Sequence, residues 1–421
     1  MGYNYPDFLY FRKLKVNHKI TKARINTAMK TLISFSAVIL IISFSSCNQD
    51  TKKINWDDFI DEQLNFAVDQ YKAMNEVLPD TLTPRTFENE RLVTAGTNWW
   101  CSGFYPGSLW YLYEYTDDEE LKAIAHERTM VLEEEKYNTG THDLGFMLYC
   151  SFGNGLRLTE NEEYEDILLT GAESLMTRYN ETVGCIRSWD HGDWEFPVII
   201  DNMMNLEFLF WASETADNEG YYKNSISHTE RTKEEHYRDD FSSFHLVDFD
   251  TITGEVIGKQ TVQGYSDESA WARGQAWGLY GFTTVYRATN DPRYLTHCIN
   301  IADFLLDHPN MPEDMIPYWD FNAPNIPEAN RDASAAAIIA SALLELANYV
   351  EPDRTERYRE AAKTMLYSLG TNYRAEKGGN GNFILKHGVG HLPADSEVDV
   401  PLTYADYYFI EGLMRLEEII E

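Results

Sequence analysis

Two aspartates have the surroundings that acid–base chemistry needs. Asp143 follows His142 at the head of the apolar run DLGFMLYCSFGNGLRL. Asp201 follows Val198-Ile199-Ile200 and opens the apolar run DNMMNLEFLFWASE. Two carboxyls facing one apolar, aromatic cavity titrate apart: burial raises both pKa values and mutual repulsion raises one further. That leaves one protonated acid near neutral pH. An aspartate before a helix is also an ordinary N-cap, and Asp267-Glu268, Arg331-Asp332 and Ala405-Asp406 stand at comparable helix starts. Asp332 precedes an Ala/Ile face and reads as a cap. Asp143 and Asp201 differ by their company, a histidine beside one and the loop Arg187-Ser188-Trp189-Asp190-His191-Gly192-Asp193-Trp194 before the other.

Aromatic residues flank these acids: Trp99, Trp100, Phe104, Trp189, Trp194, Trp271 and Trp277. On a buried helix a Trp is usually core; at a pocket rim its face stacks on a sugar ring. Arg273 and Gln275 lie inside an otherwise apolar segment, where each needs a partner. Two roles are open for Arg273: a two-pronged hold on a substrate carboxylate, or an ion pair with a helix-start aspartate. His142, His191, His245, His387 and His391 fall on long connecting segments. They form neither HExxH nor a Cys/His cluster, so no metal is expected. There is no glycine-rich phosphate loop and no GxSxG elbow, and the reading calls for no cofactor.

The elements that must position these residues are helical. Apolar periodicity predicts twelve helices, at 55–77, 103–115, 118–136, 143–158, 161–179, 201–214, 217–235, 268–288, 291–307, 332–350, 353–372 and 404–419. Amphipathic and buried helices alternate. Tight polar turns such as Thr116-Asp117-Asp118 and Thr289-Asn290-Asp291-Pro292 lead from each buried helix to the next amphipathic one. Most return connections are long: 180–200, 236–267, 308–331 and 373–403. Short loops join antiparallel neighbours, so the long loops gather at one end. Six buried helices inside six amphipathic ones, with one mouth, make an all-α (α/α)6 toroid, with functional residues expected on the long loops. One of these loops carries a hairpin signal, Phe244–Phe249 and Val256–Val262 around Thr253-Gly254-Glu255.

The formal charge of −33 argues against nucleic acid and against adhesion to anionic lipid; the 27 Tyr, 21 Phe and 10 Trp argue for a packed core. Basic residues from Arg12 to Lys30 precede an apolar run, Leu32 to Phe44, ending in Ser45-Ser46-Cys47. This describes a secretory signal resembling a bacterial lipoprotein site, with Cys47 lipidated. The expectation is a signal segment 1–47 (with Met29 a natural start, so that 1–28 need not be translated), a linker 48–54, a catalytic domain 55–421, and a periplasmic or outer-membrane location. Membrane attachment would run only through Cys47. Cys101, Cys150, Cys185 and Cys298 show no metal spacing and read as scattered buried thiols.

Five motifs in order resemble one family, the unsaturated glucuronyl hydrolases of glycoside hydrolase family 88: Asn98-Trp99-Trp100…Gly103-Phe104, His142-Asp143-Leu144-Gly145-Phe146, Asp201-Asn202-Met203-Met204-Asn205-Leu206, Gln263-Gly264-Tyr265-Ser266-Asp267 and Trp271-Ala272-Arg273-Gly274-Gln275-Ala276-Trp277. The resemblance runs from about residue 55 to 419 and implies the same toroid. It implies removal of a 4,5-unsaturated glucuronic acid from the non-reducing end of oligosaccharides left by polysaccharide lyases. It makes Asp201 the general acid/base and Asp143 its essential partner, with Trp100, His142, Trp189, His245, Gln263, Trp271, Arg273 and Trp277 lining the sugar site. Some members carry a Ser/Lys motif that accommodates sulfate; here Ser396-Glu397-Val398-Asp399-Val400 has no such Lys. The alternatives are the sister reaction on unsaturated galacturonyl-rhamnose from pectin, ordinary inverting hydrolysis by Asp143 and Asp201, a toroidal epimerase using His245 and His387, and a non-catalytic glycan-binding lipoprotein.

Overall fold

A computed structural model describes residues 54–420. The proposed signal segment with Cys47, the Met29 start and the linker up to residue 53 lie outside the described residues.

The helices begin and end where the sequence supplies the chemistry. Thr116, Thr159 and Thr289 each donate a hydroxyl hydrogen bond to the carbonyl four residues back, at 2.7, 2.7 and 2.8 Å. The next residue in each case, Asp117, Glu160 or Asn290, turns the chain through positive φ (56°, 55° and 53°). The residue after that, Asp118, Asn161 or Asp291, caps the following helix by accepting from a backbone N–H two residues on. Acidic and amide side chains tolerate the left-handed conformation and make good N-caps, so one three-residue pattern closes a helix and opens its neighbour.

Twelve α-helices result among the described residues: α1 (Trp56–Val77), α2 (Phe104–Thr116), α3 (Glu119–Met130), α4 (Asn154–Thr159), α5 (Glu162–Met176), α6 (Leu206–Thr215), α7 (Glu219–Glu235), α8 (Ala272–Thr289), α9 (Pro292–Asp307), α10 (Ala333–Leu346), α11 (Pro352–Asn372) and α12 (Thr403–Ile420). A π-helical stretch, Gly145–Gly153, runs into α4, and a 3-10 turn, Ile200–Asn205, runs into α6. The even-numbered helices, α4 together with the π stretch that runs into it, pack side by side in the order α2, α4, α6, α8, α10, α12, and α12 returns to α2. The odd-numbered helices pack around the outside. This is the (α/α)6 toroid. Inner helices are mostly apolar, as burial requires: every residue of α10 is buried. Gly103 lets α2 meet the π stretch, since a Cβ there would fall 2.2 Å from the Phe146 and Met147 carbonyl oxygens.

Several boundaries differ from the periodicity reading: the 201–214 segment opens as the 3-10 turn before α6, and the 161–179 and 332–350 segments end early, at Met176 and Leu346. The 143–158 segment opens as a π-helix. The 118–136 segment breaks into α3 and a 3-10 turn, Glu133–Tyr137. α8 starts at Ala272 rather than 268, because the Asp267 carboxylate holds the Thr261 N–H at 2.8 Å instead of heading the helix. Short strands decorate the loops: β1 (Thr83–Glu88) with β2 (Arg91–Ala95), and β3 (Tyr179–Asn180) with β4 (Cys185–Ile186). The predicted hairpin is β6 (Leu246–Phe249) with β7 (Val256–Gln260), and β5 (Pro197–Ile199) joins it as a third strand. β8 (Gly388–His391) pairs with β9 (Ser396–Val400). Cys101, Cys150, Cys185 and Cys298 are free thiols.

Toward the end of the ring away from the long loops, five inner helices share a network of charged and hydroxyl groups. Arg287 of α8 bonds Glu207 of α6 and Glu345 of α10. Arg415 of α12 bonds the same Glu345 at 2.7 Å. Glu411 of α12 accepts from Tyr111 of α2 and Tyr280 of α8, each at 2.9 Å, and from Ser341 of α10. Burial pushes the Glu345 carboxyl up, but the two arginines more than offset this and hold it below its usual value.

Candidate active site

Strand pairing sets the position of Asp201. Ile199 pairs with Leu246 across β5 and β6, and one residue further the Ile200 N–H bonds the His245 carbonyl at 2.9 Å. The ladder ends there, which leaves Asp201 and His245 side by side at its exit. Asp201 is not an N-cap. The 3-10 turn is preceded by Ile199, whose position has no side-chain cap, and the Asp201 carboxyl Oδ2 has no hydrogen-bond partner although the residue is only 7% exposed. Asp332, by contrast, is the cap its sequence suggested, accepting from the Ser334 N–H at 3.0 Å. Asp406 sits within α12 and accepts from the backbone N–H groups of Ile384 and Leu385, each at 2.9 Å.

Asp143, 8% exposed, lies just before the π stretch and accepts from the Thr141 hydroxyl at 3.1 Å. Its neighbour His142 is fixed by Asn202, whose Oδ1 lies 2.6 Å from Nδ1. The Asn202 amide nitrogen donates to the Ile186 carbonyl and the Ser188 hydroxyl, so its oxygen is an acceptor and His142 Nδ1 carries the proton. His142 Nε2 then presents a lone pair 3.4 Å from Asp143 Oδ1. Burial lowers the His142 pKa to about 3, so the ring stays neutral. His245 has the opposite tautomer: Nδ1 accepts from the Val262 N–H at 3.0 Å, so Nε2 carries the hydrogen. That Nε2 faces Asp201 Oδ2 at 3.9 Å, and neither atom has a hydrogen-bond partner.

Burial pushes the Asp143 and Asp201 carboxyls each up to about 7. For Asp201 the nearby Arg273 charge pulls the other way and the Asp143 charge pushes further up. The site thus holds two coupled carboxyls that titrate near neutrality, with a donor imidazole over one and an acceptor imidazole beside the other.

The aromatic residues fall in two groups. Trp189 and Trp271 both meet the His245 ring edge-on, with centroids at 5.9 and 4.8 Å. Trp100 and Trp277 lie 5.7 and 5.1 Å from the Phe146 ring centroid, and Tyr404 meets both indoles. Trp277 is wholly buried; its indole N–H has no hydrogen-bond partner and favours the ionised form of Asp201. Gln263 donates to the Gly390 carbonyl at 3.1 Å. The guanidinium of Arg273 bonds Asp332 at 3.2 Å and the carbonyls of Val389 and Gly390. Its two terminal nitrogens are therefore committed to protein, as in the helix-start ion pair weighed above, and it ties β8 to the site as a positive charge near Asp201.

The sequence reading passed over four residues that hold this geometry: Thr141, Asn202, Asn205 and Arg178. Arg178 donates to the Arg187 carbonyl at 2.9 Å, the Thr139 carbonyl at 2.6 Å and the Asp190 carboxylate at 2.8 Å, which pins the loop carrying Trp189 beside the segment carrying Asp143. The available signal was Asn202 and Asn205, two amides inside an apolar helix, where each needs a partner. His387 pairs with Asp399 at 2.6 Å, and His391 Nε2 lies 2.9 Å from the Val262 carbonyl.

Comparison with known proteins places this geometry. The sequence pattern of Glycosyl Hydrolase Family 88 matches residues 78–409. An unsaturated glucuronyl hydrolase of Formosa agariphila is 46% identical over 325 residues, covering 76% of this chain and 80% of that protein. An unsaturated chondroitin disaccharide hydrolase of Streptococcus agalactiae is 34% identical, covering 86% of this chain and 92% of that one. The crystal structure of an unsaturated glucuronyl hydrolase specific for heparin superposes with a TM-score of 0.85 at 45% identity, covering 86% of this chain and 98% of the other.

Proposed function

We propose, because the chain belongs to glycoside hydrolase family 88, that this glycosidase removes the 4,5-unsaturated glucuronic acid from the non-reducing end of lyase-generated glycosaminoglycan fragments. The observation that carries the mechanism is the pair of buried, unpartnered atoms, Asp201 Oδ2 and His245 Nε2, facing each other across 3.9 Å. A carboxyl with a pKa of about 7 holds a proton to give at neutral pH.

The substrate has an enol ether, C4=C5, conjugated to a carboxylate. Asp201 protonates C4, which gives an oxocarbenium-like ion at C5. The ionised Asp201 then takes a proton from the water that adds at C5, while the His245 Nε2–H holds the incoming oxygen. The resulting hemiketal opens and releases the partner sugar. Asp143 raises the proton affinity of Asp201 through its charge, and His142 orients Asp143. One carboxyl serves as acid and then base, so carboxylate separation carries no stereochemical meaning here. Trp189 and Trp271 form the wall around His245, and Trp100, Gln263 and Trp277 complete the pocket. The epimerase alternative needs His245 and His387 as paired shuttles, whereas His387 is held by Asp399.

The test is loss of ultraviolet absorbance from the conjugated C4=C5 carboxylate, with lyase-generated disaccharides from heparin, chondroitin, hyaluronan, ulvan and pectin assayed separately. Loss with glucuronyl substrates is expected. Loss with pectin fragments alone would move the protein to the sister reaction, and a folded protein inert in every assay would overturn the hydrolase reading. We also propose that the protein is exported and held on a membrane by lipid on Cys47, which the basic segment, apolar run and small residues before that cysteine support. Cells fed labelled fatty acid should label the wild-type protein, and equal labelling of Cys47→Ala would refute the anchor.

A further inference from the structure

α7 is an outer helix, yet His228 within it and His236 at its C-cap are wholly buried. The reaction described above uses neither. Each ring spends one nitrogen on a strand that leads to the site. His228 Nδ1 accepts from the Ile186 N–H of β4 at 3.0 Å. The Ile186 carbonyl in turn takes the Asn202 amide at 2.7 Å, and Asn202 holds His142 beside Asp143. His236 Nε2 donates to the Val198 carbonyl of β5 at 2.9 Å, on the strand that delivers Asp201. The backbone carbonyl of His236 takes the Phe244 N–H at 2.7 Å, next to His245. His236 therefore grips both sides of the ladder at whose exit Asp201 and His245 meet.

The second nitrogens, His228 Nε2 and His236 Nδ1, have no hydrogen-bond partner among the described residues. Burying an imidazole with an idle nitrogen costs more than burying Leu or Phe, so filling the core does not account for these residue types. The bond to the strand does. It also fixes each ring: a carbonyl only accepts, so His236 Nε2 carries hydrogen, and a backbone N–H only donates, so His228 Nδ1 presents a lone pair. Burial lowers the pKa to about 3 for His228 and about 4 for His236, which keeps both rings neutral. The two residues lie on one helix, roughly 12 Å apart along its axis. A hydrogen-bonded helix does not stretch, so it sets a fixed interval between the two strands it holds.

We propose that His228 and His236 are positioning residues for the reaction, through which α7 holds the His142–Asp143 pair and the Asp201–His245 pair at a set distance from each other. This rests on the hydrolase reading above. Both pairs act in the transition state, where a misplacement of about 1 Å costs up to about a hundredfold.

The experiment compares two kinds of variant at each position. His228→Phe and His236→Phe keep a buried ring and remove the bond. His228→Asn keeps an acceptor near the Nδ1 position, and His236→Gln keeps a donor near the Nε2 position. On an unsaturated disaccharide followed by ultraviolet loss, each Phe variant should lose about tenfold or more in kcat with KM within about threefold of wild type. Each amide variant should return to within about threefold of the parental kcat. Hydrogen exchange across residues 184–202 should quicken in the Phe variants and stay near wild type in the amide variants. Where a Phe variant does not fold, His228→Gln or His236→Asn, which places its amide at the wrong reach, takes its place under the same readings. Parental kcat in a folded Phe variant removes that residue from the role, and equal impairment of the Phe and amide variants overturns it as well. Unchanged exchange in the Phe variants overturns the hold on the strands whatever the activity. Wild type inert on every unsaturated disaccharide overturns the hydrolase reading instead, so the two failures are told apart.

Discussion

Asp201→Asn removes turnover by about a thousandfold or more and leaves a protein that is more stable at neutral pH than the parent. The first effect follows from chemistry: an amide of the same shape cannot deliver a proton to C4 or take one from water. The second follows from linkage. The Asp201 pKa is raised by burial to about 7, against roughly 4 in the unfolded chain. Between those values the native state binds more protons than the unfolded state, so stability falls as pH rises. Asp201 therefore destabilises the fold fully above about pH 7 and not at all below about pH 4. The variant's advantage should open across that window and reach on the order of 4 kcal/mol. Denaturant unfolding at pH 4 and pH 8, beside kcat on an unsaturated disaccharide, measures both. Near-parental kcat in folded Asp201→Asn would remove this residue from the mechanism.

Asp143→Asn should lower kcat by about a hundredfold or more while leaving a measurable remainder. That remainder is informative because the Asp143 charge helps raise the Asp201 pKa. In the parent, activity should fall as pH rises through about 7, where Asp201 loses its proton. In the variant the charge is gone, so the falling limb should move to lower pH. A limb that stays in place would leave Asp143 a structural role near Thr141 and His142 rather than an electrostatic one. Stability should rise at neutral pH here too, with the same sign as for Asp201, since burial also raises the Asp143 pKa to about 7.

The toroid was legible because its signals are periodic. Apolar runs such as ASAAAIIASALLEL occur six times, five of them followed by a tight polar turn such as Thr116-Asp117-Asp118 or Thr289-Asn290-Asp291, and each such pair states burial and chain reversal independently. The two aspartates were legible for a different reason, since acids bordering apolar aromatic runs are expensive to bury unless they act. What periodicity could not give was the short strand Pro197–Ile199. Three residues carry no pattern, and their pairing with Leu246–Asp248 depends on a partner some fifty positions away. That pairing is what brings Asp201 to His245. The tautomers were equally hidden, because they depend on Asn202 and on the Val262 N–H, long-range partners with no spacing rule. For Arg273 the sequence left two roles open, and only the position of Asp332 and the β8 carbonyls shows where its nitrogens go.

The charged network that joins α2, α6, α8, α10 and α12 gives the enzyme a floor. Glu411, Tyr280, Ser341, Glu345 and Arg415 bridge helices across the ring, so a polysaccharide cannot thread the toroid from one side to the other. A blind well admits only a chain end. Linkages in the interior of a polymer are thus out of reach whatever their chemistry, and the cut residue and the incoming chain must use the same opening in turn. The pace of digestion is then set by the supply of fresh ends, which an upstream lyase makes, and long uncut chains are poor competitors for the site.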